Sequence, residues 1–127
     1  MRRTIALTIA LMSTVTALTV VSPAAHADNT KCPRNRFCLF EHVNFGGKRA
    51  VFGWTDRNLV NNEWPRSTRT VNNRASSMIN NMGVPVILKD IDHSCRGRDY
   101  TARRESEDRS FSNNSFNDKA SCLIVVR

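Results

Sequence analysis

All four cysteines of this chain, Cys32, Cys38, Cys95 and Cys122, lie downstream of an apolar leader. An even cysteine count in a small exported chain predicts two disulfides. Four cysteines allow three pairings. The favoured one joins Cys32 to Cys38, which bracket a turn, and Cys95 to Cys122, which ties the start of the C-terminal half to the last strand. In a chain-entropy description the short loop contributes roughly 2 kcal/mol and the long one roughly 3.5 kcal/mol. Both matter to a small domain whose total stability is about 5–10 kcal/mol.

The leader, Met1 to Ala27, reads as a secretory signal. Arg2 and Arg3 give the positive start, Ile5 to Val21 the apolar run, and Ala25-His26-Ala27 the small-x-small cleavage site. The run is too short and too rich in Thr for a membrane span. The mature chain is then expected to be residues 28–127, one secreted, extracellular domain with a modest core and no membrane span. The net charge is +8, and +6 once Arg2 and Arg3 are removed. Arg96, Arg98, Arg103 and Arg104 form the one dense basic group, but Asp99, Glu105, Glu107 and Asp108 interrupt or follow it. A nucleic-acid binder concentrates its charge on one face, so this pattern reads as a solvated surface and excludes nucleic acid as the expected partner.

Short apolar runs alternate with Gly, Asn and Pro signals, which predicts strands over 36–40, 49–52, 76–79, 84–88, 100–103 and 122–126. No long stretch carries a helical period. The polar segment 55–70, with Trp64-Pro65 inside it, is expected to cross between sheets as an arch with room for a helical turn. Trp54 and Trp64 both sit in polar sequence, which suits an exposed partner surface or packing over one end of the core. The halves also repeat. Each begins with an apolar strand, continues with Glu41 or Asp90 and a glycine turn, and closes with Asn72-Asn73-Arg74-Ala75-Ser76-Ser77 or Asn117-Asp118-Lys119-Ala120-Ser121-Cys122, about 45 residues apart. That spacing suits a four-strand Greek-key unit.

Two motifs carry a resemblance. Phe40-x4-Phe45-x-Gly47 resembles the folded-hairpin signature of the βγ-crystallin superfamily, and the two closing segments resemble its paired Asn/Asp-Asn/Asp-x-x-Ser/Thr-Ser motif. In the second hairpin Gly97 keeps the glycine, while Asp90 and Cys95 occupy the aromatic positions. The segment from Cys32-Pro33 through Cys38-Leu39-Phe40-Glu41-His42 to Asn44-Phe45-Gly46-Gly47 is similar to peptidase inhibitor family I36 of actinobacteria, which shares the crystallin-like fold. The resemblance implies an all-β, βγ-crystallin-like Greek-key sandwich of two pseudo-repeated four-strand motifs, stapled by disulfides.

It also implies calcium. Carried over by position, the ligands are Asn73, the Arg74 carbonyl and Ser76, then Asp118, the Lys119 carbonyl and Ser121, with Glu41 and Asp90 as hairpin-turn contributors. Asp118 is the one carboxylate within the two motifs, so weak affinity of about 10⁻⁴–10⁻³ M is expected. The plainer reading is that Asn and Ser cap their own turns. Zinc on Cys32, Cys38 and His42 would need reduced thiols, which an oxidising compartment disfavours.

No H-E-x-x-H, G-x-S-x-G or phosphate-loop pattern is present, so no catalytic residue is named. The resemblance implies a non-enzymatic, monomeric inhibitor of an extracellular protease, with metalloproteinases among the family's targets. It places the inhibitory loop in a short disulfide-closed segment of the C-terminal half. Cys95 has no cysteine nearby, so no reactive bond is assigned; residues 92–97 stand in that place. The rival readings are a calcium-stabilised structural or stress crystallin and a small cationic antimicrobial toxin.

Overall fold

The computed structural model describes residues 31–91 and 94–127. The expected leader, Asp28 to Thr30, Asp92 and His93 lie outside the described residues. Among the described residues seven strands are formed: β1 (Phe37–Phe40), β2 (Arg49–Phe52), β3 (Ser77–Asn80), β4 (Val86–Ile91), β5 (Arg96–Ala102), β6 (Ser106–Asp108) and β7 (Cys122–Val125). They make two antiparallel sheets, in the orders β2-β1-β3-β6 and β5-β4-β7. Among the described residues no helix is long and apolar enough to cross a membrane.

The repeat is visible in the pairing. Each half contributes a hairpin, β1–β2 or β4–β5, and a strand that returns to its other side, β3 or β7. Each half also lends a segment to the other's sheet. Strand β6 of the second half pairs with β3, and Asp56 of the first half forms a two-bond bridge to Leu123 of β7.

Residues Phe37, Leu39, Phe52, Met78, Val86, Leu88 and Leu123 point between the sheets. Full burial of each such side chain contributes about 1.5–3 kcal/mol. Strand β2 alternates exposed and buried residues, as one-sided strands do. Strands β1 and β3 are buried on both faces. Their outer side is covered by a second cluster of Cys32, Cys38, Phe40, Phe45 and Ile79, drawn together by the Cys32–Cys38 disulfide. The other disulfide joins Cys95 to Cys122, so the favoured pairing is the one formed.

The expected strands at 36–40, 49–52, 76–79, 84–88 and 122–126 all appear, within one residue of their predicted bounds except for β4, which starts two residues later and ends three residues later than expected. The weak run at 100–103 is the end of a longer strand that begins at Arg96. Strand β6 was not anticipated. The crossing segment holds a 3-10 turn, Leu59–Asn61, and then doubles back through a Glu63–Thr70 bridge. That doubling turns Trp64 into the core at 1% exposure, which settles the two tryptophans differently: Trp54 stays 71% exposed.

Candidate functional site: two oxygen clusters at the crossing of the repeat

The closing segments 72–77 and 117–122 lie against each other where the halves cross. Asn73 N–H donates to the Ala120 carbonyl at 2.9 Å, and Asp118 N–H donates to the Ala75 carbonyl at 3.0 Å. Asn73 and Asp118 are both left-handed, at φ 53° and 55°. That region favours Asn and Asp among residues with side chains, which is the physical reason for their presence at this position of the motif. Asn73 thereby meets Ser121 of the other segment, and Asp118 lines one cleft with Ser76.

The hairpins are likewise matched. Gly47 and Gly97 have φ of +71° and +88°. The Lys48 N–H donates to Glu41 Oε2 at 3.4 Å, and the Arg98 N–H donates to Asp90 Oδ1 at 2.8 Å. Asp90 therefore takes the place of Glu41, and not the aromatic position expected from the motif. The second hairpin holds one more residue, absorbed by a bulge between Lys89 and Ile91. In register, Lys89 is the counterpart of Phe40: Phe40 faces Ser77 and Lys89 faces Cys122. Phe45 packs edge-on against Phe40, with ring centroids 5.6 Å apart, and Cys95 fills the matching place with a disulfide.

Around Ser121 the expected calcium residues converge. Its hydroxyl oxygen lies 2.7 Å from Asn73 Oδ1 and 3.3 Å from the carbonyl oxygens of both Asp90 and Lys119. One hydroxyl proton serves three acceptors there, so the cluster has more lone pairs than donors. Ser121 is 1% exposed, which excludes water from its inner side. A hard cation suits such a set of hydroxyl, amide and carbonyl oxygens. All four donors are neutral, so the fit is one for weak binding.

The first cluster brings Glu41, His42, Arg69, Asn73, Arg74, Ser76 and Asp118 to one cleft of about 270 Å³. Its chemistry differs. The nearly buried Glu41 carboxylate forms an ion pair with the guanidinium of Arg69. The Asp118 carboxylate accepts from its neighbour's amide, Asn117 Nδ2, at 3.1 Å. Sequence reasoning missed Arg69, because it lies outside the motif and reaches Glu41 only when the crossing segment doubles back. Among the described residues no three His, Cys, Asp or Glu side chains gather as a metal cluster. Zinc on Cys32 and Cys38 is ruled out by their disulfide. Of residues 92–97, Ser94 to Gly97 form the end of the β4–β5 hairpin.

This architecture is that of the βγ-crystallin domains. A domain solved in work on the evolution of the eye-lens βγ-crystallin fold superposes with a TM-score of 0.64 at 21% identity, covering 75% of this chain and 89% of that one. A βγ-crystallin from Ciona intestinalis gives 0.58 at 20% identity over 72% of this chain and 99% of that one. An archaeal βγ-crystallin gives 0.57 at 17% identity over 74% and 100%. No curated protein matches in sequence. Residues 25–88, half of the chain, match the model of peptidase inhibitor family I36, and the chain belongs to that family.

Proposed function

We propose that this protein is a secreted, non-enzymatic inhibitor of an extracellular peptidase, with a metalloproteinase as the first class to test. The observation that carries the reading is the family match across 25–88, which takes in β1, β2, β3 and the first half of β4. The physics of the frame supports it. Exchanged sheet segments and two disulfides cross-brace the frame that carries the surface. A preorganised surface loses little entropy on binding and resists being drawn into a peptidase as an extended substrate. The disulfides fit an oxidising, extracellular compartment. Residual hydrolysis of a small substrate by thermolysin-like and subtilisin-like peptidases, each titrated with the purified oxidised protein, tests the reading. Inhibition of at least one of them at micromolar protein is expected; none across the panel contradicts it.

A second reading concerns the Ser121 cluster. Its surplus of oxygens over protons favours a weakly held calcium ion contacted by Asn73, Asp90, Lys119 and Ser121. The ion would bridge the halves where their segments cross. Calcium at ten times its dissociation constant would add about 1.4 kcal/mol to stability. A rise of several degrees in Tm in millimolar calcium is expected, and an unchanged melting curve contradicts it.

A further inference from the structure

The two oxygen clusters occupy matched places in the repeat, yet they differ at one residue. Three positions before each paired motif stands Arg69 in the first half and Asn114 in the second. Asn114 turns away from its cluster and donates to Asp108 Oδ2 at 2.6 Å. Arg69 instead lies over its cleft, its side chain about half exposed (53%), and lines it with Glu41, Ser76 and Asp118. We propose that Arg69 is a built-in cation that closes the first cluster, so that the chain takes one calcium ion, at Ser121, and not two.

The backbone fixes Arg69 in this place. Its carbonyl accepts from Trp64 N–H at 3.0 Å, and its own N–H donates to Ser67 Oγ at 3.1 Å. Thr70 beside it bridges Glu63, and Val71 is fully buried. The loop is anchored at both ends by Trp64 and Val71, which leaves the guanidinium facing the cleft. Glu41 is 9% exposed, so a carboxylate there requires a partner, and Arg69 supplies it. A dication entering the same cleft would have to break that pair and then lie beside the guanidinium, with Arg74 also on the rim. Among the described residues, the groups hydrogen-bonded in the Ser121 cluster include no such cation: they are a hydroxyl, an amide and two carbonyls.

The proposal rests on the calcium reading of the Ser121 cluster, and the test separates the two. Calorimetric titration of calcium chloride into the full oxidised chain is run on the wild type, Arg69→Gln and the double variant Arg69→Gln with Ser121→Ala, with circular dichroism as the folding control. One ion is expected for the wild type and two for Arg69→Gln. The double variant keeps one, at the opened cluster. Because the freed Glu41 and Asp118 are both carboxylates, that ion is expected to bind at least tenfold more tightly than the one at Ser121. Two ions in the wild type, which needs no variant to observe, overturn the proposal. No gain in Arg69→Gln also overturns it. No ion in the wild type and one in Arg69→Gln supports the role of Arg69 and refutes the Ser121 reading instead.

Discussion

Cys122 stands in the second half where Ser77 stands in the first. Ser77 faces Phe40 across its sheet and Cys122 faces Lys89, the Phe40 counterpart. Each secures the tip of its own hairpin. The Ser77 hydroxyl accepts from Phe45 N–H at 3.1 Å and donates to the His42 carbonyl at 2.6 Å. Cys122 is bonded to Cys95, which like Phe45 lies two residues before the glycine and has a positive φ. The replacement of the motif's last serine by cysteine is therefore coupled to the loss of the aromatic: a covalent clamp has replaced a hydrogen-bonded one.

That coupling makes a graded prediction. Cys95→Ala with Cys122→Ala removes the clamp and is expected to cost about 3–4 kcal/mol for a loop of this length. Cys95→Phe with Cys122→Ser rebuilds the first half's solution and is expected to recover about 1 kcal/mol of that loss, the usual net contribution of a hydrogen bond. Urea unfolding of the two variants and the wild type measures both. Equal loss in the two variants would show that the halves are not equivalent at this point.

The glycines separate into two kinds. A Cβ at Gly97 would overlap Asp90 Oδ1, and one at Gly47 would come within 2.6 Å of the His42 ring, both at positive φ. Around Gly83 nothing lies within 4 Å of a Cβ. Gly97→Ala and Gly47→Ala are expected to destabilise by about 1–3 kcal/mol, because left-handed strain and a displaced neighbour add. Gly83→Ala is expected to be neutral or to stabilise by up to about 1 kcal/mol through the unfolded chain. Thermal melts of the three variants decide.

Tyr100, the chain's one tyrosine, carries the alkaline behaviour. Burial against Phe111 and Phe116 raises the phenol well above its ordinary value; its hydrogen bond to Asp108 and the charge there push the same way. A raised folded-state value means that the contribution to stability is complete below the unfolded value, about 10, and is lost as pH rises beyond it. Tyrosinate absorbance is expected to appear only with unfolding, in one cooperative step above about pH 10. A separate phenol titration in the folded protein at its ordinary value would contradict this. Tyr100→Phe is expected to flatten the stability profile over the same range.

Much of the fold was legible because it is written in local signals. Apolar strands, glycine turns and the two motifs mark the hairpins, and the spacing of the cysteines favoured the pairing that forms. The errors share one cause, which is dependence on distant segments. Strand β6, Ser-Glu-Asp, has no apolar residue and becomes a strand only by pairing with β3. For Trp54 and Trp64 the polar local sequence left exposure and packing both open, and only the Glu63–Thr70 bridge, a pairing beyond the immediate neighbours, turns Trp64 inward. Asp90 was misplaced because a bulge adds a residue to its hairpin. Arg69 was invisible because Glu41, its partner, is far away in sequence.

The tryptophans supply a functional prediction. Trp64→Ala empties a core site and is expected to cost about 3–5 kcal/mol. Trp54→Ala is expected to change stability by less than about 0.5 kcal/mol, since the ring is 71% exposed. If the peptidase seats on this side of the molecule, the same change weakens inhibition by about thirtyfold or more, the signature of a buried aromatic anchor. Inhibition constants for Trp54→Ala beside its melting curve distinguish a contact residue from a bystander.

The proposed function requires a rigid frame, and one comparison tests that requirement most directly. The oxidised protein and the same protein with both disulfides reduced are each incubated with a peptidase from the panel, while hydrolysis of a small substrate and the mass of the recovered chain are followed. The account predicts that the oxidised protein blocks hydrolysis and is recovered whole, whereas the reduced chain is digested and inhibits nothing. Digestion of the oxidised protein without inhibition, or equal inhibition by the two forms, would contradict it.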